Sequence, residues 1–218
     1  MRLSSYSPLL QTHVSVIHLS VQSKSKRCMD IVGALCGLAI TSILFLPIVI
    51  AITLDNPGPI FFSQQRCGLR GKPFTIWKFR SMVSNAEKLK HLVENEAEGH
   101  IFKNKNDPRI TRVGRFLRKT SLDEFPQFLN VLKGEMSLVG TRPPTFDEVQ
   151  NYTNYHLQRL NVKPGMTGEW QVYGRSNVGD FDEIVHMDLN YQRKWTIHYD
   201  LLLILRTVAV IFNKQGAY

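Results

Sequence analysis

The apolar run from Ile31 to Leu54 dominates the hydrophobic pattern of the chain. About 24 residues pass there without a charge, enough to span a bilayer and more uniformly apolar than most core helices. Pro47 lies inside the run, where it removes a helix hydrogen bond and crowds the preceding turn. Basic residues flank both ends: Lys24, Lys26 and Arg27 before, Arg66, Arg70 and Lys72 after. Positive loops stay in the cytoplasm, so a straight span would export one basic set. A helix that enters the membrane, breaks near Pro47 and returns keeps both sets inside, with Thr41 or Ser42 supplying a hydroxyl to the broken backbone. A kinked spanning helix is the alternative.

The pattern then shortens. Asp55, Asn56, Pro57, Gly58 and Pro59 stop any helix. IFFSQQR reads as a strand, GLRGK as a Gly-rich turn and the alternating FTIWKFR as the partner strand. The resulting β-hairpin carries Arg66, Lys78 and Arg80. Residues 84–106 are polar and read as a solvated helix and loop. In DPRITRVGRFLRKT, Ile110, Val113, Phe116 and Leu117 recur at near-helical spacing beside Arg109, Arg112, Arg115, Arg118 and Lys119. Such a stretch suits a lipid headgroup layer, or a basic face in water. Phe125, Phe128, Leu129 and Leu132 form one face of a short helix. Pro126 is tolerated only in a first turn, so that helix starts near Asp123, and Gly134 suits its end. WQVY reads as a short strand and Asp182 to Trp195 as a helix. YDLLLILRTVAVIF, interrupted by Arg206, reads as a docked or interfacial helix.

No repeat or clear linker divides the chain, so residues 1–25 read as an N-terminal arm and 26–218 as one domain. The arm lacks the apolar stretch and cleavage site of a signal peptide. The expected fold class is α+β, mainly helical: a re-entrant helix–break–helix foot over residues 31–54, and a small catalytic domain with a β-hairpin and interfacial amphipathic helices.

Charge narrows the partner class. The formal net charge is +9, which implies an anionic partner: nucleic acid, an anionic membrane face or phosphorylated substrates. The three cysteines, Cys28, Cys36 and Cys67, form no C-x-x-C pair, which argues against a zinc site or disulfide framework.

The adjacent carboxylates Asp123 and Glu124 in TSLDEFPQ are the sharpest chemical feature. Near a helix N-terminus, backbone amides favour negative charge, Asp can attack phosphorus as a nucleophile, and a neighbouring Glu can hold Mg²⁺ beside phosphate oxygens. The alternative is a capping box with Ser121 as cap and Glu124 reaching back. Arg142 in LVGTRPPT and Arg175 in VYGRSN sit in rigid Gly/Pro-rich segments that suit bidentate phosphate recognition, or are ordinary surface arginines. There is no P-loop, G-x-G-x-x-G or H-E-x-x-H motif.

Four strings, KRCMDIVGA, GPIFFSQQRCGLRGKPFTIWKFRSM, DPRITRVGRFLRKTSLDEFPQFLNVLKGEMSLVGTRPP and KPGMTGEWQVYGRS, resemble the bacterial sugar transferase family, monotopic phosphoglycosyl transferases acting on polyprenol phosphate. The resemblance runs from about Lys26 to the C-terminus. It implies that Asp123 attacks the β-phosphate of a UDP-sugar and releases UMP, after which polyprenol phosphate takes the phospho-sugar from Asp123. It implies that Glu124, with Asp123, binds Mg²⁺. Arg118, Arg142 and Arg175 match positions associated with phosphate or nucleotide, Lys78 and Arg80 fall in the family's KFR string, and Pro47 matches the membrane break. The implied location is the cytoplasmic face of the bacterial inner membrane, at the start of exopolysaccharide, capsule or O-antigen assembly. The implied partners are the membrane, a second copy of the chain and downstream glycosyltransferases, with no nucleic acid. Thr141 stands where many members have Pro before Arg142, which leaves the subfamily and so the sugar open; some members break the membrane helix at Ser-Pro, where here Leu46 precedes Pro47. Larger members carry extra N-terminal spans, so this chain reads as a bare catalytic unit. A basic membrane-tethered binding protein, or a scaffold of a polysaccharide export complex, is the competing function.

Overall fold

A computed structural model of the chain describes residues 18–96, 104, 106–174 and 180–212. A short helix α1 (Leu19–Gln22) leads into α2 (Lys24–Asp55), 32 residues long. Ser23 caps α2, its hydroxyl accepting the Lys26 N–H at 3.2 Å. The helix runs unbroken through Pro47, so the expected helix–break–helix is not seen. Pro47 costs the hydrogen bond that its N–H would give Ile43, but one missing bond does not end a helix flanked by two long apolar arms. Thr41 and Ser42 do not repair it. Their hydroxyls donate to the carbonyls of Gly37 and Leu38, one turn back in their own arm.

The domain fastens α2 at both ends. Lys26 Nζ donates to Asp200 Oδ2 at 2.7 Å and to the Val139 carbonyl at 3.0 Å. Arg27 donates to the carbonyls of Val131 and Leu132 at 2.8 and 2.6 Å. Asp30 accepts from the Ser137 hydroxyl and the Leu138 N–H. At the far end Ile48 and Ile52 pack with Phe79 and Leu117, and Asp55 Oδ2 accepts the Val113 N–H at 2.8 Å. Between these anchors Leu35, Ile40, Ile43, Phe45 and Leu46 face outward, Ile43 at 76% exposure. The helix is long and apolar enough to cross a membrane.

The chain is mainly helical, with a two-stranded antiparallel hairpin as expected. Strand β1 (Phe61–Cys67) pairs with β2 (Pro73–Phe79) in a register that sets Phe62 opposite Lys78 and Ser63 opposite Trp77. Helix α3 (Arg112–Lys119) follows, then a 3₁₀ turn (Leu122–Gln127) and α4 (Phe128–Lys133). Gly134, at φ 83°, ends α4 in the left-handed cap its sequence position suggests. A second, parallel pair, β3 (Ser137–Val139) with β4 (Gly165–Thr167), has strands too short to leave a sequence period. Helices α5 (Phe146–Gln150), α6 (Asn154–Leu157), α7 (Glu169–Tyr173), α8 (Phe181–Lys194) and α9 (Ile197–Phe212) complete the fold.

Two local expectations fail. WQVY lies in α7 rather than in a strand. Trp170 packs on the α8 cluster and Val172 on Val139, Tyr191 and Leu203, so tertiary packing overrides β propensity. Where the polar segment 84–106 reads as a solvated helix and loop, its described residues hold turns and one 3₁₀ turn, Lys90–Leu92; residues 97–103 and 105 lie outside the described set.

Asp200 is fully buried and accepts from Lys26, Tyr191 and Trp195. Breaking a buried pair strands the remaining charge. Asp200→Ala is expected to destabilise the protein by about 3–5 kcal/mol, read as a lowered Tm in detergent. The double variant Lys26→Met/Asp200→Leu should recover part of that loss.

Candidate active site

The 3₁₀ turn carrying Asp123 and Glu124 is wedged between α3 and α4. Ser121 reverses the chain ahead of it with φ 55°, and its side chain makes no cap hydrogen bond, so the capping box does not form. Leu122 and Phe125 pack into the cluster built on Ile48, Ile52, Phe79 and Leu117. That contact ties the turn to α2, while the acids face the hairpin. Lys78 Nζ, on β2, meets Glu124 Oε1 at 2.7 Å. Asp123 is only 6% exposed.

Helix α3 brings Arg118 to the same place. Its Nε donates to the Ser81 hydroxyl at 2.9 Å. This closeness depends on Gly114, where a Cβ would stand 1.9 Å from the Ser81 carbonyl oxygen; no other residue lets α3 pack there. Burial lowers the Arg118 guanidinium from its usual range, against the pull of Asp123. For Asp123 burial dominates and raises its carboxyl above the ordinary value of 3.8. Lys78 opposes the rise, Glu124 adds to it and Arg118 opposes it. The result is a carboxyl kept from water and more basic than usual, with Lys78 and Arg118 offsetting only part of the burial.

Arg142, on the loop after β3, forks onto Glu148 of α5, with nitrogen–oxygen distances of 2.9 and 3.2 Å. Burial opposes the ionisation of Glu148, but Arg142 and Arg66 outweigh it and keep the carboxyl below its ordinary value. Burial, then repulsion by Arg142, pulls the Arg66 guanidinium down to about 10, while Glu148 and Glu124 pull the other way. Arg142 alone bonds Glu148; Arg66 donates to the Pro143 carbonyl at 3.0 Å and to Gln64 Oε1 at 2.7 Å, and feels Glu148 and Glu124 through space. Arg66 was legible only as a basic residue of the hairpin, and Glu148 was not legible at all; TFDE, a capping box, was its one signal.

The other candidates separate from this group. Arg80 is occupied at the end of α2, donating to Asn56, to Pro57 and to the Ser84 hydroxyl. It fastens the helix end to the chain after β2. Pro47 is exposed in mid-helix. Arg175 lies outside the described residues. No cluster of three or more potential metal-ligating side chains occurs among the described residues. Magnesium needs only one or two carboxylates when substrate phosphates and water fill its shell, and adjacent Asp123 and Glu124 fit that donor set.

The family described as "Bacterial sugar transferase" matches residues 21–214. The chain belongs to the bacterial sugar transferase family. It is 51% identical over 195 residues to the "Galactosyl transferase CpsE" of Streptococcus agalactiae, covering 88% of this chain and 43% of the relative. It is 47% identical over 199 residues to the "Undecaprenyl-phosphate galactose phosphotransferase" of Salmonella typhimurium, covering 88% and 41%. The "Exopolysaccharide production protein ExoY" of Rhizobium meliloti is 35% identical over 200 residues, covering 89% and 88%. The chain therefore spans less than half of the first two relatives and most of the third.

If this sugar transferase uses Asp123 in its charged form, its rate rises with pH as that carboxyl ionises. The acid limb of kcat/KM should have its midpoint above 3.8, the ordinary Asp value. In Glu124→Gln the neighbouring negative charge is gone and Lys78 is released, both of which favour ionised Asp123. The residual activity of that variant should show an acid limb moved to lower pH; a limb moved upward would contradict the assignment.

Proposed function

We propose that the protein transfers a phospho-sugar from a UDP-sugar to polyprenol (undecaprenyl) phosphate, starting the assembly of an exopolysaccharide, capsule, O-antigen or other glycoconjugate. The observation that carries this reading is the buried Asp123 set against Lys78, Glu124 and Arg118, on a turn packed against an outward-facing apolar helix. An Asp123 carboxylate oxygen attacks the β-phosphorus. A phosphorus–oxygen bond forms as the one to UMP breaks, and UMP leaves with the bonding pair. An oxygen of polyprenol phosphate then attacks the same phosphorus and the bond to Asp123 breaks, regenerating the carboxylate. Lys78, Arg118 and the Arg66–Arg142 pair supply fixed positive charge to the diphosphate, and Glu148 orients Arg142. Magnesium, when bound, would be held by Glu124 and Asp123 and would neutralise charge on the diphosphate oxygens. The names of two relatives make UDP-galactose the first donor to test.

The apolar face of the continuous helix α2 is read as a foot held on the cytoplasmic side of the inner membrane without crossing it. The support is that both helix ends bond to the same domain: Lys26 to Asp200, and Asp55 to the Val113 N–H. A helix of 32 residues is roughly 48 Å long at 1.5 Å per residue. A crossing would have to separate those two attachments by the bilayer core of about 30 Å.

Two outcomes follow. Asp123→Asn should reduce UMP release from UDP-galactose by more than about 10³-fold with Tm and membrane association retained; turnover above a few per cent would sink the covalent mechanism. Topology is read by an impermeant thiol reagent on intact cells, in a background where Cys28 and Cys36 are serine. Gln22→Cys and Asn85→Cys should both be protected until lysis. Labelling of Gln22→Cys from outside would establish a span.

A further inference from the structure

A second positively charged site stands apart from the dyad, where α2 leaves the domain. A cavity of about 90 Å³ opens there, lined by Ser23, Lys26, Arg27, Asp30, Lys163 and Tyr191 among others. Nucleotide-sized ligands occupy pockets of about 300–1,000 Å³, so the donor substrate does not fit. A single phosphate group does.

The charges in the cavity do not balance. Lys26 is committed to Asp200, the Val139 carbonyl and the Tyr191 hydroxyl. Asp30 is committed to Ser137 and Leu138. Arg27 bonds only neutral carbonyls, those of Val131 and Leu132. Lys163 makes no hydrogen bond or ion pair with the described residues, and it is half-buried. Counting Lys26, Arg27 and Lys163 against Asp30 and Asp200 leaves one positive charge. Burial, and after it the nearness of Arg27, lowers the Lys163 ammonium from its usual value, with Asp30 opposing.

The two under-compensated cations come together beside Gly134. A Cβ built on Gly134 would stand 3.6 Å from Arg27 Nη2 and 3.6 Å from Lys163 Nζ, so the two nitrogens are no more than twice that distance apart. A phosphate making charge-assisted bonds of about 2.7–2.9 Å to each bridges such a gap.

We propose that this cavity is an anion site for a phosphate group, with Lys163 and Arg27 as its principal ligands. The source that fits is a phospholipid headgroup, because the apolar run begins at Ile31, one helical turn beyond Arg27. A phosphate held there would fix the depth at which the domain sits on the membrane. That choice of source rests on the membrane reading of α2; the site itself does not.

The test uses the full chain in neutral detergent, with dihexanoyl phosphatidylglycerol, dihexanoyl phosphatidylcholine and inorganic phosphate as soluble probes. The readout is the rise in Tm with probe concentration, which reports affinity by linkage. Lys163→Gln and Lys163→Glu are compared with the unsubstituted protein. The lipid assignment expects phosphatidylglycerol to bind about tenfold more weakly to Lys163→Gln and not measurably to Lys163→Glu, with phosphatidylcholine weak throughout. A Lys163-dependent response to inorganic phosphate alone would keep the site but overturn the lipid source. Responses to every probe that are unchanged by both substitutions would overturn the site. UMP release by Lys163→Gln in detergent should be unchanged, so loss of the transferase reading would show separately, as no release from the unsubstituted protein.

Discussion

Hiding the Asp123 carboxyl from water between two cations and a second acid is the constraint around which this fold is organised. A buried carboxylate without partners takes up a proton instead of staying charged. Here Lys78 from β2 and Arg118 from α3 pull toward the charged form, against burial and the neighbouring Glu124. Each supporting element is fixed by something further out. The hairpin register delivers Lys78. Gly114 admits α3 against Ser81 so that Arg118 arrives. Leu122 and Phe125 press the turn onto the cluster shared with α2.

The same contacts couple chemistry to the apolar helix. Ile48 and Ile52 of α2 share a cluster with Phe79, the residue after Lys78. On the outer side Phe45 of α2 stacks with Phe61 at 6.1 Å, and Phe61 meets Trp77 edge-on at 6.4 Å. Phe45, Phe61, Phe62 and Trp77 are all exposed, so exposed aromatic rings of α2 and the hairpin lie beside one another.

Much of this was legible in the sequence because it depends on local chemistry. Alternation in FTIWKFR gives the strand, Gly134 the left-handed helix end, and the unbroken apolar run the long helix. The adjacent acids stand out because nothing else in TSLDEFPQ requires two carboxylates side by side. What was not legible depends on partners distant in the chain. Arg80 reads like Lys78, two residues away, yet its guanidinium is absorbed by Asn56. Arg142 reads as a free phosphate ligand but is forked onto Glu148, whose own segment carries only a helix-start signal. Pro47 predicts an interruption, and the helix absorbs it because its two arms are anchored independently. WQVY has strand propensity and becomes helix because Trp170 and Val172 each have a cluster to enter.

The nucleophilic role of Asp123 is open to direct observation by intact-protein mass spectrometry after mixing the purified chain with UDP-galactose and Mg²⁺, with no polyprenol phosphate added. The account predicts a mass gain of one phosphohexose, absent in Asp123→Asn, mapped to the peptide containing Asp123 and discharged when polyprenol phosphate is supplied. UMP release with no adduct at any time after mixing, or an adduct that persists in Asp123→Asn, would contradict it.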